Sequence, residues 1–290
     1  MYLLTNYHTH SVFCDGESSL EEIIAAAKTQ RFSILGFSSH TAWPFCLDCQ
    51  IAPKDCASYF NSVRALAKKE APALEILAGI EAEYISGITS PDKTLYAQFK
   101  PDFIIGSVHY IFSDIQKAHP VPEFFAVDAE AEEVQNGIDL FFKGNAKKAV
   151  QTYFALERDM IRTCDFDIIG HADLVRKRNG VLRLFDENES WYRRELKETA
   201  KTIARSGKIT EINTGGMSRA GMSSPYPSAD FLSLLKLYGA PIMLNSDSHK
   251  STTLTDHFAE GLNAARGAGY KELWYLSGGK WLHREIPAAI

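Results

Sequence analysis

The sequence predicts an α/β protein built on parallel strands, closed as a barrel or left open as a sheet. Three observations predict it. Short apolar runs alternate with longer amphipathic stretches about seven times along the chain, the pattern of strands joined by crossover helices. The runs read as strands buried on both faces, as a parallel sheet covered by helices requires. The chain, at 290 residues with 45% hydrophobic and 23% charged, is long enough to bury the core such a sheet needs.

In chain order the strand candidates are residues 3–8, 33–39, 74–84, 102–108, 167–170, 208–213 and 241–246, with 272–276 as an extra one. Between them, "SLEEIIAAAKTQ" opens on Ser19 with Glu22 three residues later, the reciprocal cap of a helix start. "SWYRRELKETAKTIARSG" is periodic and closes at Gly207, a residue suited to the left-handed turn after a helix. The interval 110–164 holds no strand candidate, while "AEEVQNGIDLFF" and "NAKKAVQTYFALERDMIRTC" read as helices. We expect 110–164 to be a helical insertion placed over the site. With no Pro/Ser-rich linker, low-complexity tract or repeat, residues 1–290 are expected to form one domain.

Composition excludes several classes of function. A formal net charge of -5 with interspersed signs gives no basic stripe to follow a phosphate backbone, so nucleic acid is not an expected partner. "MYLLTNYHTH" lacks the basic and apolar regions of a secretory leader, and no run approaches the roughly 18 apolar residues of a membrane span. A soluble, cytoplasmic protein with no membrane partner is expected. The five cysteines, Cys14, Cys46, Cys49, Cys56 and Cys164, are odd in number in a chain too large to depend on disulfides, and reduced thiols follow. Cys46 and Cys49 have the spacing of half a zinc site, but no second pair follows; we read a surface loop.

Six of nine histidines fall at the C-terminal end of a strand candidate: His8, His10, His40, His109, His171 and His249. Three acids, Asp15, Glu81 and Asp247, occupy equivalent places. Parallel strands closed as a barrel bring such ends to one mouth. Residues two apart in extended chain point the same way, so His8 and His10 can reach one ion, as can Asp247 and His249. A lone histidine at a loop start is most simply a hydrogen-bonded polar residue; nine ligand types at equivalent places are not. Imidazoles and carboxylates suit zinc, iron or manganese, and nine donors exceed one ion's need, so two or three divalent ions are expected.

These residues resemble the PHP (polymerase and histidinol phosphatase) superfamily of metal-dependent phosphoesterases. Its four motifs are matched in order by "HTH" with Asp15 and His40, by Glu81, by His109 and "GHADL", and by "SDSH", across essentially the whole chain. The resemblance implies a distorted (β/α)7 TIM-like barrel with a trinuclear metal centre at its C-terminal mouth. By that resemblance His8, His10, Glu81 and Asp247 would hold one ion; Glu81, His109 and His171 a second; Asp15, His40 and His249 a third. Some members carry histidine where this chain has Asp15, and a carboxylate there shifts preference toward harder ions.

Within the superfamily, "GHADLVRKRNG" and "EINTGGMSRAGMSSPYPS" look most like the histidinol-phosphate phosphatases, whose matching positions, Arg176 and Arg219, would bind the substrate phosphate. The implied activity is hydrolysis of L-histidinol phosphate to L-histidinol and phosphate, in histidine biosynthesis, by a metal-bound hydroxide. Asp247 or His249 would relay the leaving group's proton. The expected partner is a small-molecule phosphate ester. Two other readings compete: a PHP phosphoesterase acting on nucleotides, cyclic phosphodiesters or short nucleic acid, and a non-catalytic PHP scaffold module, which would show eroded ligands.

Overall fold

The longest apolar run, 74–84, is two strands. In the computed structural model, which describes residues 3–43, 49–112 and 123–287, the strands are β1 (Thr5–Asn6), β2 (Ile34–Phe37), β3 (Glu75–Ala78), β4 (Ile80–Glu83), β5 (Ile104–Ser107), β6 (Tyr110–Phe112), β7 (Phe124–Ala126), β8 (Ile168–Ile169), β9 (Ile209–Asn213), β10 (Ile242–Asn245), β11 (Glu272–Ser277) and β12 (Lys280–Glu285). Gly79 separates β3 from β4. A Cβ there would lie 2.3 Å from Cζ of Phe103, so the backbone passes the ring at a distance only glycine allows. β3 pairs with β2, and β4 pairs with β5.

The result is an α/β fold with two parallel sheets, ordered β1-β2-β3 and β10-β9-β8-β5-β4. The regular pairing does not form one closed ring. At the site end, however, the first and last parallel strands lie side by side: the Ser248 carbonyl accepts from His10 N at 2.8 Å and Ser248 N donates to the His8 carbonyl at 3.2 Å.

An inner cluster takes residues from nearly every strand run, including Ile34, Leu77, Ile105, Ile168, Ile209 and Met243. Tyr7 joins it, its hydroxyl donating to the Leu276 carbonyl and accepting from Leu276 N, both at 2.9 Å. The larger cluster packs helices against the other side of the strands. One is Leu20–Thr29, which buries Leu20, Ile23, Ile24 and Ala27 and carries the expected capping box between Ser19 and Glu22. Another is Ser190–Ser206, ended by Gly207 at φ 70°.

The interval 110–164 departs from the helical insertion expected of it. The helices Ala131–Phe142 and Ala146–Thr163 are present, but β6 and β7 form an antiparallel hairpin before them. Each strand is three residues long, too short for periodicity to register, and side-chain packing holds them: the Trp43 ring lies 4.9, 6.0 and 5.8 Å from those of Tyr110, Phe112 and Phe124. Cys46 and His119 lie outside the described residues. Among the described residues, no helix is long and apolar enough to cross a membrane.

Candidate metal centre

His8 and His10 follow β1, His40 follows β2, Glu81 lies in β4, His109 follows β5, His171 follows β8, and Asp247 and His249 follow β10. Parallel strands point all these ends one way, and the side chains converge on Glu81, which is 1% exposed. Its Oε2 lies 2.9 Å from His8 Nε2, 3.3 Å from His10 Nε2 and 3.2 Å from His40 Nδ1. Its Oε1 lies 3.1 Å from His171 Nε2 and 3.6 Å from His109 Nε2, and accepts from Ser107 Oγ at 2.6 Å.

Among the described residues, three groups have ligand atoms within 4.8 Å of one another: His10, Asp15, His40 and His249; His8, Glu81 and His171; and His8, His10 and Asp247. His109 adjoins the second, with Nε2 3.2 Å from His171 Nε2. Among the described residues, buried His10 Nε2 has no hydrogen bond, although Glu81 Oε2 and Asp247 Oδ1 each lie 3.3 Å from it. An unsatisfied buried imidazole nitrogen aimed at carboxylates and other imidazoles is what a metal ligand becomes without its ion. The donors are nitrogen and carboxylate oxygen, and they fit divalent zinc, iron or manganese.

Two acids that the sequence reading left without a role support the cluster. Glu211 accepts from Asn245 Nδ2 at 2.8 Å, Asn213 Nδ2 at 2.7 Å and His171 N at 2.9 Å, while facing His8 Nδ1. Glu83 accepts from His109 N at 2.8 Å and lies 2.7 Å from His109 Nδ1. Such carboxylates orient ligating imidazoles. A signal was present in both: a charged residue inside a buried strand run.

Charge is balanced within the centre. Burial pushes the Glu81 carboxyl up, but His8, His40 and His109 outweigh it and hold it well below the usual range. Asp247 behaves alike, burial being overcome by Arg219 and His8. Burial disfavours charge on His109, yet Glu83 and Glu81 raise it to about 10. Burial depresses His40 to about 3, with His10 adding to that depression against the pull of Glu81. Asp247 also has left-handed backbone, φ 51°, an uncommon conformation that aspartate tolerates better than most residues.

Arg219 is brought to the centre. Its Nη2 lies 2.8 Å from Asp247 Oδ2 and its Nη1 3.1 Å from Oδ1, and Nη1 also reaches the Asp247 carbonyl and His249 Nδ1. The two residues expected to relay a proton, Asp247 and His249, therefore share one guanidinium. Arg176 is not brought in. It is 9% exposed and occupied by Asp173 Oδ2 at 3.3 Å, Glu187 Oε2 at 3.0 Å and Ser224 Oγ at 3.3 Å. The reason is local: Leu174–Arg176 is a 3-10 turn, in which successive side chains diverge by about 120°. Lys177, the next residue, points to the cavity instead.

That cavity, about 300 Å³, is lined by Asp15, His109, Asp128, Lys177, Arg219 and His249 among others, with Trp43, Cys49 and Tyr110 on its wall. A larger cavity of about 1190 Å³ opens at the opposite ends of β8, β9 and β10 and contains none of the centre's donors.

Fold and site define an α/β protein with a cluster of carboxylates and imidazoles that could hold metal ions at the ends of its parallel strands. The chain belongs to the PHP family: the PHP domain model matches residues 6–215. Curated relatives include "Probable histidinol-phosphatase" of Deinococcus radiodurans, 26% identical over 269 residues, with 92% of this chain and 94% of that protein covered. Another, of the same name, is from Schizosaccharomyces pombe, 27% identical over 260 residues, covering 83% and 79%. The fold is also that of solved structures. One from Listeria monocytogenes aligns with a TM-score of 0.75 at 21% identity, covering 88% of this chain and 98% of that one. A Lactococcus lactis histidinol phosphate phosphatase, solved with zinc, L-histidinol and phosphate, aligns with a TM-score of 0.69 at 20% identity, covering 96% and 98%.

Proposed function

We propose that this protein is a metal-dependent phosphatase that hydrolyses L-histidinol phosphate to L-histidinol and phosphate, as in histidine biosynthesis. The observation that carries the reading is the gathering of eight further nitrogen and carboxylate ligands around Glu81, beside a small cavity lined by Lys177 and Arg219. The names of the curated relatives, and the ligands of the Lactococcus lactis enzyme, support the choice of substrate.

On this reading the two sheets are one distorted (β/α)7 barrel, interrupted at Gly79, and residues 1–290 are a single domain with 110–164 as its insertion. Two or three ions of zinc, iron or manganese would be held by His8, His10, Glu81 and Asp247, by Glu81, His109 and His171, and by Asp15, His40 and His249. Divalent ions there would supply activation of water and neutralisation of charge on phosphate oxygens. Arg219 and Lys177 bind and orient the phosphate from the cavity wall, and Arg176 braces the turn that presents Lys177. Asp247, kept ionised by Arg219 and His8, has no proton to donate. His249 is the relay toward the leaving group. The cavity size and net charge of -5 favour a small phosphate ester over nucleic acid, and the setting is cytoplasmic.

The test is a substrate panel on protein of measured metal content: L-histidinol phosphate, nucleotides and a cyclic phosphodiester. Highest kcat/KM on L-histidinol phosphate is expected. Preference for a nucleotide or the cyclic diester overturns the assignment.

A further inference from the structure

We propose that Lys177 and Asp128 form an ion pair that the substrate replaces, its phosphate taking Lys177 and an ammonium on the carbon next to the ester carbon taking Asp128. The inference rests on the histidinol-phosphate reading and assigns the residues that recognise the phosphate and the ammonium of such a β-aminoalkyl phosphate. Lys177 Nζ lies 2.9 Å from Asp128 Oδ2, and both residues line the cavity beside His109 and His171. Their side chains are 12% and 25% exposed, so the pair is largely withdrawn from water yet open to a ligand in the cavity.

Other lining carboxylates are committed elsewhere. Glu81, Asp247 and Asp15 belong to the metal groups, and Glu83 is held by the backbone and ring of His109. Among the described residues, Asp128 is the lining carboxylate whose ion-pair partner is a lysine.

The frame around the pair does not depend on it. Arg178 Nε donates to the Ala129 carbonyl at 2.6 Å and Arg178 Nη2 to Glu130 Oε1 at 2.9 Å. On the other side Val127 N donates to the His109 carbonyl at 2.8 Å. Lys177 can therefore leave Asp128 while the two loops stay docked.

Charge accounting gives the selectivity. In a β-aminoalkyl phosphate, phosphorus and nitrogen are separated by the bonds P–O–C–C–N, roughly 4–5 Å at ordinary bond lengths, close enough for one compact zwitterion to meet both halves of the pair. Each withdrawn charge then exchanges one partner for another. A phosphate ester without the ammonium takes Lys177 and leaves the Asp128 carboxylate unpaired, which costs binding energy.

The experiment compares wild type, Asp128→Asn and Lys177→Gln, each with metal content and thermal midpoint measured, on L-histidinol phosphate and its des-amino analogue 3-(imidazol-4-yl)propyl phosphate. Wild type is expected to prefer the aminated ester in kcat/KM by about tenfold or more, the effect of one partly buried charge pair. Asp128→Asn collapses that ratio toward one, raising KM for the aminated ester and lowering it for the analogue, because Lys177 is released. Lys177→Gln widens the ratio, because Asp128 is left seeking a cation. Equal losses on both esters in Asp128→Asn, or an unchanged ratio, overturn the exchange while leaving the phosphatase reading intact. Turnover of neither ester by metal-loaded wild type defeats the histidinol-phosphate reading and the exchange together.

Discussion

Glu211 grips His8 by the ring nitrogen that faces away from the metal centre: Nδ1 lies 3.0 and 2.9 Å from the two carboxylate oxygens, while Nε2 lies 2.9 Å from Glu81. The grip fixes which nitrogen carries the proton and leaves Nε2 to act as a ligand. Glu211→Gln keeps the shape and removes the charge. Metal affinity, measured by competition with a chromophoric chelator, is expected to fall roughly 10–100-fold. Unchanged affinity would show that His8 is oriented by other contacts.

Glu81→Ala removes the carboxylate that faces five imidazoles and His109→Ala one ligand at the edge of the cluster. Elemental analysis of both variants should show lost metal, more in Glu81→Ala, with turnover abolished. Full metal loading with wild-type turnover in either variant would refute the ligand assignment.

Metal uptake should be coupled to proton release. His109 is raised to about 10 by Glu83 and Glu81 in spite of burial, so in the metal-free protein its ring is protonated below that pH. An ion must displace that proton. The sign follows: affinity rises with pH up to about 10 and then levels for this group. Titration calorimetry in buffers of different ionisation enthalpy measures the release; buffer-independent heats would contradict it.

At Gly79 the expected effect is on stability. Gly79→Ala places a Cβ 2.3 Å from the Phe103 ring, and the forced shift should cost about 1–3 kcal/mol, the usual range for overpacking. Denaturant unfolding checks this. Adding Phe103→Leu should recover part of the loss, and if it does not, the contact is not the cause.

Much of this architecture could be read from residue order because its signals are local. Ser19 and Glu22 announce a helix start, and histidines that close apolar runs announce strand ends. Three features could not be read that way. The β6–β7 hairpin packs against the Trp43 ring, distant in sequence. Whether Arg176 or Lys177 faces the cavity depends on the phase of one 3-10 turn and on a buried partner, Asp173. The division of 74–84 into two strands depends on Phe103, whose closeness to Gly79 exists only after folding. In the motif "EINTGG", Glu211 was visible as a buried acid, but its task was not, since nothing in residue order places it against His8.

The meeting of the first and last parallel strands has a consequence for biosynthesis. Asn6 Nδ2 donates to Ser246 Oγ at 2.7 Å across 240 residues of chain, and His8 and His10 are tied to Ser248 just beyond. At roughly 5–20 residues per second of translation, the N-terminal histidines wait on the order of ten seconds or more for their partners. A ribosome-bound chain therefore displays "HTH" without Asp247, His249 or the backbone that closes over them. The ligand groups that include Asp247 or His249 are completed only after those residues have left the exit tunnel.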